Sequence, residues 1–283
     1  MARDPSTVLQ IKLMFAGLNP ANMVNVYPSP GALRESLSDL IDISTTPSTL
    51  ASPSVIRNFA TASVEMWHKA VHSFLISASL TKASPTWASV SGYYSSHYTI
   101  RGFAHLLGHF LLYSKNKSTI ELEVNNTQHI CHIKPKSGSD GEHRFYWKKV
   151  HQHPDFNSDP FFTLNIESDD VSDAGHRNKA NYYDHLYGFP VFQNLEKDVL
   201  KQRVKIISQM PLYDAPIPSK LKYADIDSVQ LIAYYRLVKF RNFLDEILDT
   251  SNRYWSYHRN PLWCSKYINY YTAQSDLAAL ISA

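Results

Sequence analysis

Cysteine is scarce in this chain: there are two in 283 residues, Cys131 and Cys264. A pair so far apart makes neither a disulfide framework nor a CxxC redox or zinc pattern, so a reducing compartment is expected. Long apolar runs are missing as well. None approaches the ~20 residues that span a bilayer. The N-terminus has no basic region followed by an apolar core and a small-residue cleavage site. These absences lead us to expect a soluble, cytoplasmic protein with no membrane partner. Strong charge of either sign is also lacking, since the formal net charge is +3. That balance permits contact with nucleic acid without arguing for it, because such a footprint is a local cluster rather than a total. The G-x-S-x-G elbow, the phosphate-binding P-loop and the dinucleotide fingerprint are absent. Several large enzyme classes go with them, and no cofactor is expected.

What the chain does have is a hydrophobic share of 44% and 18 tyrosines. The first is enough to bury a core and excludes wholesale disorder. The second supplies amphipathic contact surface suited to partners.

Two long helices are predicted in the first half. From Ser54 to about Lys82 the stripe is Ile56, Phe59, Ser63, Trp67, Ala70, Phe74 and Ala78. From Pro85 to Ser114 it is Val90, Tyr93, Ile100, Ala104, Leu107 and Leu111, with His97 among them. Spacing by three and four, sustained over about seven turns, is that of an amphipathic helix. Ser84 suits the cap of the second helix and Pro85 its first position, where a missing N–H is harmless. Gly102 and Gly108 each cost roughly 1 kcal/mol against Ala in a helix interior, which implies that another helix packs close there. The short link around Ala83 favours an antiparallel hairpin.

Elsewhere Val8 to Phe15 reads as a strand and Gly31 to Ile43 as a short helix, with Pro47 and Pro53 breaking the chain after it. Past Ser114 the period changes to two. Ile120, Leu122 and Val124 alternate with polar residues, then Ile130 to Lys134 and His143 to Val150 follow. Together they predict a three-stranded antiparallel insertion at about 118–150. Helical pieces follow near Gly175 and from Asn194 to Met210. A strong helix spans Asp227 to about Thr250, with Ala233, Leu237, Phe240, Leu244 and Ile247 on one face, and a last helix runs from about Leu262 to Ile281.

Three groups of residues carry chemistry. In HRNKANYYDH, Asn181 and Asp184 lie within about 40° of Arg177 on a helical wheel and His185 at about 80°. An Arg beside a His is what metal-free RNA cleavage needs: the His moves a proton near neutral pH and the Arg stabilises charge on phosphate. The plainer reading is a helix whose Arg177 pairs with Asp184. Arg101, His105 and His109 are spaced i, i+4, i+8 along one helix face. They either line a groove, satisfy buried polar neighbours, or, for the two histidines, hold a metal. Third, His129, Cys131, His132, His143, His151 and His153 gather around the insertion in no spacing that matches a zinc module. Beside them Phe145, Tyr146 and Trp147 precede Lys148 and Lys149, and Tyr234 and Tyr235 adjoin Arg236, Lys239 and Arg241. Both sets suit base stacking and phosphate contact, or else an ordinary half-buried surface.

The second helix, with its SGYYSSHYTIRGFAHLLG run, resembles the HEPN superfamily of helical bundles, whose members often carry a Tyr-Tyr-Ser run followed by an Arg. Arg177-Asn178 resembles that family's signature of Arg, a polar residue and a later His. Here Tyr182 stands where the tightest form of the signature has His, and His185 follows after seven intervening residues. The resemblance covers about 54–114 and 175–250. It implies a mainly α fold, a four- or five-helix bundle with the β insertion, preceded by an N-terminal extension over 1–53. It implies an RNA-targeting component of a bacterial defence, antiviral or toxin–antitoxin system, with metal-independent endoribonuclease activity. Arg177, Asn178 and His185 (or His176) would be catalytic, and Arg101, Asn181 and Tyr182 would contact substrate. A homodimer or a complex with another defence-system subunit is implied. The alternative is a non-cleaving adaptor that binds a partner protein with the same bundle.

Overall fold

Pro53 opens the longest helix among the described residues, and neither Gly nor Pro recurs in its interior. The computed structural model describes residues 8–9, 11–12, 48–51, 53–80, 84–113, 119–125, 130–136, 141–157, 159, 162, 226–248 and 255. Most of these are helical. The elements in order are β1 (Ser48–Ala51), α1 (Pro53–Leu80), α2 (Pro85–Leu106), β2 (His109–Tyr113), β3 (Thr119–Asn125), β4 (Ile130–Pro135), α3 (Glu142–Gln152) and α4 (Ile226–Leu248). Among the described residues no helix is long and apolar enough to cross a membrane. The chain divides into two compact units. One holds 1–66, 100–157 and 243–256, the other 67–99, 158–242 and 257–283.

In the second unit α1 and α2 form the expected antiparallel hairpin. The Ser84 carbonyl accepts from the Ala88 N–H at 2.9 Å, so Ser84 is the residue from which α2 starts. Across the hairpin, Ser77 Oγ donates to the Ala88 carbonyl at 2.6 Å and Ser95 Oγ donates to the Ala70 carbonyl at 2.9 Å. All four residues are buried. Small side chains are what let the two backbones approach this closely. α4 closes on the hairpin through edge-on contact of Phe240 with Trp67 and tilted contact of Tyr234 with Phe74. Gln230 Nε2 donates to Ser77 O at 3.0 Å and Ser77 Oγ at 2.9 Å. Gly92 sits at this junction. A Cβ there would meet Ser77 Oγ and Val229 Cγ1, each at 3.2 Å. The predicted apolar face of α4 (Ala233, Leu237, Phe240, Leu244, Ile247) is buried throughout.

In the first unit the same kind of helix contact recurs, with Ser63 Oγ donating to the Gly102 carbonyl at 2.9 Å. Gly102 thus lies against another helix, as expected. Gly108 does something else. Its φ of 86° is in the left-handed region, and its N–H bonds the His105 carbonyl at 3.0 Å. Glycine enters that conformation without steric penalty and so ends a helix. The predicted helix to Ser114 is therefore corrected: α2 stops at Leu106, and 109–113 is strand β2.

Among the described residues the sheet has four strands in the order β1-β4-β3-β2, every pair antiparallel. β3 and β4 are the predicted strands. β1, from the segment read as a chain break, pairs with β4 from Ser48 opposite Ile133 to Ala51 opposite Ile130. The third predicted strand, His143 to Val150, is the helix α3. Its buried residues Phe145, Tyr146, Trp147 and Val150 follow helical rather than alternating spacing. Likewise Val8, Leu9, Ile11 and Lys12, expected in a strand, are helical, with Val8 and Ile11 buried. The expected pieces at 31–43, 175–188, 194–210 and 262–281 lie outside the described residues.

Candidate functional site

The side chains that meet in the first unit come from the end of α2, the start of β2 and one face of α3. Arg101, in the last turns of α2, points its guanidinium at the first turn of α3, where Nη1 forms an ion pair with Glu142 Oε1 at 2.6 Å. Both side chains are largely removed from water, at 11% and 22% exposure. The guanidinium also lies over the Tyr146 ring, 5.1 Å from its centroid, a cation–π arrangement. Glu142 suits its place, because a carboxylate at a helix N-terminus offsets the exposed N–H groups.

His105 is fully buried one turn further on. Arg101 Nε–H donates to its Nε2 at 3.3 Å. A guanidinium can only donate, so Nε2 carries the lone pair. The proton then sits on Nδ1, which donates to the His109 carbonyl at 2.9 Å. The ring stacks on Phe110 at 4.5 Å and meets the edge of Tyr146 at 5.4 Å. Tyr146 in turn accepts at its hydroxyl from the Leu111 N–H, at 3.1 Å. The result is a neutral imidazole of one tautomer, held on both nitrogens. With Nε2 taken, a metal-ligand role for His105 has no lone pair to use.

The sequence reading placed Arg101, His105 and His109 on one helical face. The structure brings the first two together but not the third as a side chain. Gly108 ends the helix, so the main chain of His109 meets His105 instead. Two further residues complete the network: Glu142, which carries no signal in the sequence, and Tyr146, which the sequence offers only as a stacking ring. The sequence reads 143–150 as a strand, which leaves Glu142 outside it and sets Tyr146 on alternating ground.

The remaining candidates separate. Glu121 on β3 is buried, with Lys149 Nζ at 2.7 Å and Lys134 Nζ at 3.7 Å from Oε1. Lys149 also lies 5.4 Å over Phe145. With Phe145, Tyr146 and Trp147 buried, the aromatic–basic run does not present rings for base stacking. Arg236 and Arg241 on α4 are buried too, and Lys239 pairs with Asp159 at 2.6 Å. Of the histidines around the insertion, His132 is exposed on β4 and His143 and His151 are on α3. His153 ends α3, its N–H bonding the Val150 carbonyl and its Nδ1 accepting from the Asp155 N–H at 3.3 Å. Among the described residues no three His, Cys, Asp or Glu converge to hold a metal.

In the second unit the Tyr-Tyr-Ser run of α2 has two sides. Tyr93 and His97 are buried and stacked, 6.2 Å apart and 7° from parallel. Tyr94 and Tyr98 are half-buried and in contact at 6.0 Å, with Lys69 Nζ 6.0 Å from the Tyr98 centroid. Arg177, Asn178, Asn181, Tyr182, His185 and His176 lie outside the described residues.

No family model, curated protein or solved structure matches the chain.

Proposed function

We propose that this chain is a HEPN-like, RNA-targeting component of a bacterial defence or toxin-type system. The observation that supports this most is the antiparallel α1–α2 hairpin whose second helix carries the Tyr93–His97 run and then Arg101. In this reading the chemistry belongs to the 176–188 segment. Arg177 holds the scissile phosphate and Asn178 orients it. His185 takes the proton from the ribose 2′-hydroxyl as that oxygen bonds to phosphorus, and passes it to the leaving 5′-oxygen as the bond between phosphorus and that oxygen breaks. The products are a 2′,3′-cyclic phosphate and a 5′-hydroxyl. Asn181 and Tyr182 contact the RNA. Arg101, held by Glu142, serves to fasten α2 to α3. A second copy or another defence-system subunit completes the assembly.

A specific observation favours a second reading, a non-cleaving adaptor that binds a partner protein. The cations Arg101, Lys149 and Lys239 are paired with carboxylates inside the fold, and Arg236 and Arg241 are buried. Tyr182 in place of His points the same way.

The test is incubation of purified protein with total RNA and a tRNA pool, with and without EDTA, beside Arg177→Ala. The nuclease reading expects cleavage that survives EDTA, leaves cyclic phosphate ends and disappears in the variant. Well-folded protein that leaves all RNA intact moves the assignment to the adaptor. Cleavage abolished by EDTA overturns the metal-free mechanism.

A further inference from the structure

His105 is gripped from three elements at once. Arg101 Nε–H, one turn back on α2, donates to its Nε2 at 3.3 Å, and its Nδ1–H donates to the His109 carbonyl at the start of β2 at 2.9 Å. The ring stacks on Phe110 of β2 and meets the edge of Tyr146 of α3. Tyr146 then accepts from the Leu111 N–H at 3.1 Å. The charged and titratable groups of this network are therefore Arg101 on α2, His109 on β2, and Tyr146 and Glu142 on α3. Glu142 and Arg101 form an ion pair at 2.6 Å, so their two charges cancel.

An imidazole in water titrates at about pH 6.5, which suits it to sensing mild acid. Here the lone pair that would take the proton already accepts from Arg101. A proton on Nε2 sets N–H against N–H at 3.3 Å and places a second positive charge beside Arg101, in a fully buried ring. Burial of an added charge is costly, and relief comes when the ring leaves its place. Arg101, the His109 carbonyl, Phe110 and the edge of Tyr146 then lose it together. We propose that His105 is an acid-sensitive latch: uptake of one proton at Nε2 releases the end of α2 from its contact with β2 and α3. The closed form excludes the proton and the open form binds it. The latch is thus complete above about pH 6.5 and weakens as pH falls below that value.

Native-state hydrogen exchange of the full chain, read amide by amide from pH 8 to pH 5 and corrected for intrinsic rates, measures opening at Leu111 and along α3. Linkage to one proton predicts an opening constant about thirtyfold larger at pH 5 than at pH 8. Amides of α1 over 67–80 are expected to keep their protection. The comparison is His105→Gln, whose amide can accept from Arg101 and donate to the His109 carbonyl but does not titrate. There the pH dependence at Leu111 and α3 is expected to vanish. Ring-nitrogen NMR of the wild type over the same range gives a second measurement that needs no variant. A second proton on His105 that arrives together with the rise in exchange supports the latch. A doubly protonated His105 with Leu111 and α3 still protected overturns it, and so does an opening constant flat from pH 8 to pH 5. An equal rise in His105→Gln overturns it by assigning the effect to other groups. A rise that extends equally over α1 overturns it as well, because the event is then acid unfolding of the whole chain.

Discussion

Arg101 donates its Nε–H to Nε2 of His105 across 3.3 Å, and this one contact sets the protonation pattern of a buried ring. Nitrogen NMR of histidine-labelled protein at neutral pH is expected to show His105 with its proton on Nδ1. A ring protonated on Nε2 alone would contradict the arrangement. Replacing His105 by Ala leaves Arg101 Nε without this acceptor and opens space beside Phe110 and Tyr146. A loss of about 2–4 kcal/mol in urea unfolding is expected.

The Arg101–Glu142 pair predicts coupling. Arg101→Met and Glu142→Gln each destabilise the protein, because each leaves a largely buried partner with reduced compensation. The double variant is expected to lose less than the two singles together, with a coupling of about 1–2 kcal/mol. Strict additivity in a double-mutant cycle would show that the pair is only a neighbourly contact.

At Gly92 two effects oppose. Ala gains roughly 1 kcal/mol of helix propensity but brings a Cβ to 3.2 Å from Ser77 Oγ and Val229 Cγ1. Thermal melting of Gly92→Ala is expected to stay close to wild type. Gly92→Val has no such balance and is expected to lose about 2 kcal/mol or more through overpacking. A Val variant that melts like wild type would mean the three helices are further apart than described.

Burial raises the Tyr235 hydroxyl above its ordinary value of 10.0. The folded form therefore resists losing this proton where the unfolded chain has begun to release it. Stability from this group is complete below about pH 10 and falls as pH rises through the raised value. Tyr235→Phe is expected to flatten the alkaline arm of a stability–pH profile while leaving the neutral plateau in place, apart from the lost hydroxyl.

The helical hairpin was legible because periodicity, Ser84 and Pro85 all pointed to it. The other parts hid for physical reasons. The apolar spacing of Leu107 and Leu111 continues across Gly108, so only the glycine itself marked the end of α2. Phe145, Tyr146 and Trp147 favour strands by propensity, yet tertiary burial of Tyr146 and Val150 decides for a helix. β1 is four residues between prolines, too short to show alternation. At the network, Arg101 and His105 were recognisable as a pair from their spacing, while Glu142 and Tyr146 reach them only through the fold. Arg177 and His185, to which the resemblance draws attention, lie outside the described residues.

Gly108 joins a helix to a strand with no loop between them, and its neighbours are committed on both sides. His105 holds the His109 carbonyl, and Tyr146 holds the Leu111 N–H. Such a joint has no slack to absorb a change in length. One residue inserted after Gly108 would invert the strand, turning each side chain of β2 to the opposite face of the sheet. Length at this point is thus as strictly constrained as chemistry. Chains of the same fold are expected to vary elsewhere, in the segment that links β4 to α3, and to keep this joint at one fixed count.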